Sequence, residues 1–169
     1  MKLLVGYDTN GNANPKNNFV TAIFLETIKS VYSHHELFHL IAMNLWGYPE
    51  TWINEGMAVY SDNAWNGHNL HQLSKYLIEN DKFISIDRIG KRLRKYDSMI
   101  TYPLLGCFAK LIDETYGRET INIIWSNGKK KMKKHIGESL SDLENECLEM
   151  LETVNYEKIE YLRRKENAP

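Results

Sequence analysis

The chain is organised around His35-Glu36-Leu37-Phe38-His39, and Glu55 follows sixteen residues after His39. Apolar side chains recur at helical spacing ahead of the first histidine, so the sequence predicts a helix from about Ile28 to Trp46. Residues four apart on a helix are separated by about 40° around its axis. The two histidines therefore project from the same face, one turn apart, and their imidazoles converge on one point.

The side chains at this point have the chemistry of a zinc site. A neutral imidazole nitrogen binds zinc at about 2.0–2.1 Å, and a catalytic zinc site uses three protein ligands with one position open to water. Glu36 lies about 100° from His35 around the helix, where its carboxylate reaches that water rather than the metal. The alternative is a pair of hydrogen-bonded core histidines. Burying two imidazoles and an acid without partners would be costly, so the metal interpretation is favoured.

A second motif surrounds Glu55 and supplies a resemblance to a known family. It follows the pattern Trp-x-Asn-Glu-Gly-x-Ala-x-Tyr, with the matching residues Trp52, Asn54, Glu55, Gly56, Ala58 and Tyr60. Together the two motifs resemble the gluzincin metallopeptidases, in particular the peptidase MA-like catalytic domains of the aminopeptidase-N and thermolysin group. The resemblance implies that Glu36 is the catalytic base and that zinc has three ligands, His35, His39 and Glu55.

A tyrosine that contacts the reacting carbonyl is also implied by the resemblance. In gluzincins of this kind, a tyrosine at the start of a later helix donates a hydrogen bond to the oxyanion, and Tyr102 matches that position. Tyr96 is the competing candidate. Stabilising charge that develops only in the transition state is worth about 10²-fold or more in rate. A tyrosine that merely packs its ring at a helix start remains the alternative for Tyr102.

The N-terminal region is predicted to form a small sheet. Residues 19–24 have the β-branched and aromatic content of a strand, and residues 2–5 are compatible with another. Gluzincins place an edge strand before the active-site helix, and a substrate backbone pairs with it. Residues 11–15 resemble the loop that leads into that strand. An ordinary surface turn, favoured by the Asn, Gly and Pro content of residues 8–18, is the alternative.

Helices are predicted for most of the remaining chain. Pro49 and Glu50 favour the first turn of the helix that carries Glu55, and the small residues Gly56 and Ala58 would let it lie close to the first helix. Further helices are predicted over 70–78, 102–116, with Gly117 as the stop, and 118–125. A capping box formed by Ser141 and Glu144 is predicted to open the last helix.

Composition indicates one soluble domain over residues 1–169. The formal charge is −1 at pH 7, and 43% of the residues are hydrophobic, enough for a single core. We expect a mainly α (α+β), zincin-like catalytic domain with strands and loops in 1–25, zinc-binding helices in 26–64 and a helical part in 65–169. We identify no signal peptide or membrane span, and Cys107 and Cys147 fit free thiols, so a cytoplasmic location is expected.

The predicted function is zinc-dependent hydrolysis of peptide bonds in a peptide or protein substrate. The aminopeptidase-N family binds the substrate amino terminus through Gly-x-Met-Glu-Asn, which this chain lacks, so the sequence does not support cleavage at a terminus over internal cleavage. Two alternatives remain open. One is a zincin-fold binding or regulatory protein without catalysis. The other is nucleic-acid binding through Lys129–Lys134, although this run has no interleaved aromatics and is predicted to be a solvated loop. The remaining candidates His34, His68 and His71 are predicted to be exposed.

Overall fold

Helices account for most of the residues that the structure, a computed structural model, describes: 11–22 and 34–161. The predicted strand at 2–5 and the predicted first turns of the zinc helix at 28–33 lie outside these ranges. The described helices are α1 (His34–Trp46), α2 (Thr51–Asp62), α3 (Leu70–Glu79), α4 (Ile86–Arg92), α5 (Ser98–Asn127), α6 (Lys129–Ile136) and α7 (Leu140–Glu152). The prediction of a mainly helical chain is confirmed. In these ranges, we find no helix with both the length and the apolar character that crossing a membrane requires.

A small N-terminal hairpin accompanies the helices, as predicted. Strand β1 (Gly11–Asn14) pairs antiparallel with β2 (Phe19–Ala22), in a register that sets Gly11 opposite Ala22 and Asn14 opposite Phe19. A 3-10 turn over residues 15–17 joins them. The prediction of a loop or turn for 11–14 is wrong, because pairing with β2 holds a stretch of low strand propensity in an extended conformation. A second two-stranded sheet pairs β3 (Ala64–Trp65) with β4 (His68–Asn69).

The core lies largely between α2 and α5. Trp52 and Met57 of α2 are almost fully buried, and the Trp52 ring lies 5.8 Å from that of Phe108 in α5. A Cβ built on Gly56 would lie 2.7 Å from the carbonyl oxygen of Leu105. Gly56 therefore permits close approach to α5, and the prediction that it serves the contact with the first helix is wrong.

Helix α1 contacts the second half of α5 through aromatic rings. Phe38 and Trp46 lie with ring centroids 5.9 and 5.7 Å from that of Trp125. The indole N–H of Trp125 also donates to the Gly47 carbonyl, 3.0 Å away, at the end of α1. These contacts fix the direction in which α1 leaves the site.

Helix α5 begins earlier than predicted and breaks where predicted. Its N-cap is Asp97, whose side chain accepts a hydrogen bond from the Met99 N–H at 3.0 Å, so the helix starts at Ser98 instead of Tyr102. Tyr102 consequently lies in the second turn. Gly117 has φ 80° and ψ 168°, which interrupts the helix before it continues to Asn127.

Two other predicted helix termini are corrected. Glu50 is the N-cap of α2, which begins at Thr51, so Pro49 and Glu50 precede the first turn. The capping box of α7 joins Ser139 to Asp142. Glu144, assigned to that box from the sequence, instead accepts a hydrogen bond from the backbone N–H of Ile86 at 2.5 Å.

The basic run lies in a helix, and the two cysteines lie in the core. Lys129–Ile136 forms a helix that buries Met132, so the loop prediction is wrong, while the prediction of solvated lysines is confirmed for Lys130, Lys131, Lys133 and Lys134. Cys107 and Cys147 are free thiols, as predicted, with sulfur atoms 4.0 Å apart in the core.

Candidate metal centre

Three side chains from two helices meet at one point. Helix α1 supplies His35 and His39, and α2 supplies Glu55. The two Nε2 atoms are 3.1 Å apart, and Glu55 Oε2 lies 3.4 Å from His35 Nε2 and 3.5 Å from His39 Nε2. Among the residues that the structure describes, this is the one group of three or more potential metal-ligating side chains of this kind. We call it the His–His–Glu cluster.

The spacing within the cluster fits a tetrahedral metal ion. Ligand atoms about 2.0–2.1 Å from zinc, at tetrahedral angles to one another, are separated by about 3.3–3.4 Å. The three separations in the cluster, 3.1, 3.4 and 3.5 Å, bracket that value. Two nitrogens and one carboxylate oxygen are also a donor set that zinc accepts in catalytic sites. The residues present therefore fit the ion that the sequence predicts.

Asn54 orients one of the imidazoles. Its Oδ1 lies 3.1 Å from His39 Nδ1, and both side chains are buried. Because an amide oxygen only accepts, the assigned amide orientation puts the imidazole proton on Nδ1. The neutral ring then carries its lone pair on Nε2, the atom that faces His35 and Glu55, as a metal ligand requires.

The carboxylates and imidazoles also stabilise each other's charged forms when no ion is bound. Burial alone would raise the pKa of Glu55, but hydrogen bonds and charges from the two imidazoles outweigh it and lower the pKa to about 2. Burial alone would lower the pKa of His39, but Glu55 and Glu36 raise it above its ordinary value. A carboxylate that stays ionised this firmly is also a competent ligand for a divalent cation.

Glu36 lies beside the cluster and against the N-terminal hairpin. Burial raises the pKa of Glu36, although the imidazoles and a hydrogen bond from the Ala13 backbone N–H oppose the shift. A Cβ built on Gly11 would lie 2.7 Å from Glu36 Cγ. A carboxylate with a raised pKa next to a metal position has the character of a general base.

Tyr102 reaches the cluster despite its position in the second turn of α5. Its ring centroid lies 5.9 Å from that of His35, and its ring stacks on Trp65 at 5.0 Å with an interplanar angle of 14°. Tyr96, the competing candidate, follows the 3-10 turn over residues 93–95. The contact with His35 favours Tyr102 over Tyr96, while the role of its hydroxyl stays a prediction.

The three histidines named as further candidates differ in their exposure to solvent. His34 is exposed, as predicted, and its Nδ1 lies 3.0 Å from Asp62 Oδ1. His68 and His71 are partly buried, which contradicts the predicted exposure. His68 packs its ring edge-on against Tyr161, 5.6 Å away.

Sequence reasoning missed the supports of the site. Asn54 stood inside the second motif, but its role as the partner of His39 depends on how α1 and α2 pack. No local sequence pattern predicts the contacts of Gly11 and Ala13 with Glu36. They arise from residues more than twenty positions apart in the chain.

Comparison of the chain with models of protein families, with curated proteins and with solved structures found no match. The likeness to gluzincins therefore depends on the two motifs and on the geometry of the cluster.

Proposed function

We propose that this protein is a zinc-dependent peptidase with a zincin-like catalytic domain. The observation that carries the proposal is the His–His–Glu cluster, whose ligand atoms are spaced as a tetrahedral ion requires. Glu36 beside the cluster supplies the second element of metal-assisted hydrolysis, a base with a raised pKa.

The proposed chemistry divides between the ion and the chain. Zn²⁺, when bound, acts as a Lewis acid that lowers the pKa of water from about 15.7 toward 7 and polarises a carbonyl. His35, His39 and Glu55 would hold it, and Asn54 would keep His39 in the ligating tautomer. Glu36 accepts the proton of the attacking water and passes it to the leaving amine. Tyr102 is proposed to donate a hydrogen bond to the oxyanion.

The substrate of this reaction is a peptide or protein in extended form. The hairpin that contacts Glu36 gives β1 a position beside the reacting centre, where a substrate backbone could add as a strand. We expect no nucleic-acid partner for the basic helix α6, since Lys129 forms an ion pair with Asp87 and the exposed lysines have no aromatic residues between them. A cytoplasmic location remains part of the proposal.

Metal analysis separates this proposal from its alternatives. After reconstitution with zinc and desalting, the wild type and the His34→Ala control should each retain one ion per chain, and His39→Ala should retain less than a tenth of that. His34 is the matched control because it lies on the same helix but is exposed and points at Asp62. A wild type that retains no zinc would contradict the proposal.

A peptide cleavage assay tests the catalytic part of the proposed function. Zinc-loaded wild type incubated with a mixed peptide library should produce new termini that mass spectrometry detects, and Glu36→Gln should keep its zinc but lose cleavage. Zinc binding without cleavage by the wild type would favour a catalytically silent binding protein. Salt-sensitive retention of oligonucleotides that is lost on neutralising Lys130 and Lys131 would favour the nucleic-acid alternative.

A further inference from the structure

Strand β1 touches the carboxylate side chain that the proposed reaction uses as its base. A Cβ built on Gly11 would lie 2.7 Å from Glu36 Cγ, 3.1 Å from Cδ and 3.0 Å from Oε1. The absence of a side chain at residue 11 therefore lets Glu36 lie directly on the backbone of β1. Any larger residue at this position would displace the glutamate, because a long flexible side chain moves more readily than a paired strand.

The next residue on the same face of β1 holds the carboxylate from a second direction. The backbone N–H of Ala13 donates a hydrogen bond to Glu36. In an antiparallel pair, a residue whose N–H is used outside the ladder belongs to a non-hydrogen-bonded pair and directs its polar groups away from the partner strand. Because the Ala13 N–H is donated to Glu36, the pair that Ala13 forms with Val20 is of this kind, and the donor is directed away from β2 and toward the site.

Other contacts fix β1 itself. Pairing with β2 runs from Gly11 to Asn14, and the hydroxyl of Thr21 donates to the Asn12 carbonyl at 3.3 Å. The amide of Asn44 in α1 donates to Asn18 Oδ1 at 3.0 Å, which ties the hairpin turn to the helix that carries Glu36. The hairpin is thus anchored independently of its contact with the carboxylate.

We infer that Gly11 and Ala13 are positioning residues, which hold the Glu36 carboxylate in place for proton transfer through a bare Cα and a backbone N–H. The inference rests on the proposed peptidase function for its catalytic meaning, but the contact itself is independent of zinc. An enzyme base displaced by about 1 Å loses on the order of 10²-fold in rate. Gly11→Ala should therefore impair the chemical step while leaving the His–His–Glu cluster intact.

The kinetic test compares Gly11→Ala with Thr21→Val. Gly11→Ala should retain one zinc per chain and lower kcat about 100-fold, with KM within about threefold of the wild type. Thr21→Val removes the hydroxyl contact to Asn12 and leaves the bare Cα of Gly11 against Glu36, so it should lower kcat far less than Gly11→Ala does. Equal losses in the two variants would show that a weakened hairpin is responsible, and wild-type kcat in Gly11→Ala would overturn the inference.

An amide measurement tests the contact without any activity. In metal-free protein followed by NMR, Glu36→Ala should move the Ala13 amide proton upfield and speed its exchange with solvent, because the acceptor is gone. Thr21→Val should leave that amide proton unchanged. An Ala13 amide that is the same with and without Glu36 would overturn the inference. If the amide responds but the wild type cleaves nothing, the proposed function fails while the contact stands.

Discussion

Replacing Asn54 by Ala should weaken zinc binding without removing a ligand. The Asn54 side chain accepts from His39 Nδ1 at 3.1 Å, inside a part of the protein where each residue is only 7% exposed. Without that acceptor, the imidazole is free to change tautomer or rotate, and in either case Nε2 presents a lone pair to the ion for a smaller fraction of the time.

The magnitude follows from the burial of this hydrogen bond. Leaving a buried donor unsatisfied costs about 1–3 kcal/mol, and loss of an outer partner of a metal-bound histidine typically weakens metal affinity about 10–100-fold. The two ranges agree, since a tenfold change in affinity corresponds to about 1.4 kcal/mol. Asn54→Asp retains an acceptor in the same place and should lose less affinity than Asn54→Ala.

Competition against a chromophoric zinc chelator measures the effect. Asn44→Ala is the matched control, because Asn44, like Asn54, lies on a helix that carries ligands, but it donates at the surface to Asn18 and to the Leu40 carbonyl. Circular dichroism confirms that each variant is folded before titration. If folded Asn54→Ala binds zinc as tightly as Asn44→Ala, then Asn54 does not orient His39 and the reasoning is wrong.

Three further predictions concern packing, the oxyanion and acid stability. Gly56→Ala should lower the free energy of unfolding in urea titrations, because a Cβ 2.7 Å from the Leu105 carbonyl oxygen overpacks the helix interface at a cost of about 1–3 kcal/mol; unchanged stability would contradict this. Tyr102→Phe should lower kcat about 10²-fold with zinc retained, and an unchanged kcat would assign the tyrosine to packing alone. In metal-free protein the Glu55 pKa lies at about 2 against an ordinary value of 4.5, so the ionised folded form is favoured above pH 4.5. Its stabilisation, about 3 kcal/mol, should fall away between pH 4.5 and 2, and Glu55→Gln should lack this part of the pH dependence in urea titrations.

The cluster was accessible from the sequence because helical geometry alone relates its two histidines. His35 and His39 are one turn apart on any regular helix, so their convergence needs no knowledge of the rest of the fold. Predicting that Glu55 joins the histidines required more information, since its distance from them depends on how two helices pack. The second motif supplied that information through resemblance, and the structure brings the carboxylate within 3.5 Å of both rings.

Helix termini were harder to predict from the sequence, because neighbouring capping patterns favoured different start residues. Residues 139–144 contain two overlapping capping patterns, Ser139 with Asp142 and Ser141 with Glu144. The structure uses the first, while Glu144 accepts from the backbone of Ile86, 58 residues earlier in the chain. A contact between distant helices thus decides a choice that the local sequence leaves balanced. The strand at 11–14 was missed for the same reason, since its partner rather than its composition keeps it extended.

The two ligand helices differ in how the core holds them, and that difference bears on the site. Helix α2 buries seven of its residues, including Trp52 and Met57, so Glu55 projects from a firmly packed element. Within the described part of α1, the buried residues are His39 and Ala42. One of these two is itself a proposed ligand, held by Asn54 of α2. A metal ion would therefore join a weakly buried helix to a strongly buried one, and its binding free energy would contribute directly to the position of α1. Because Glu36 lies on α1, the placement of the base depends on the cluster that it serves.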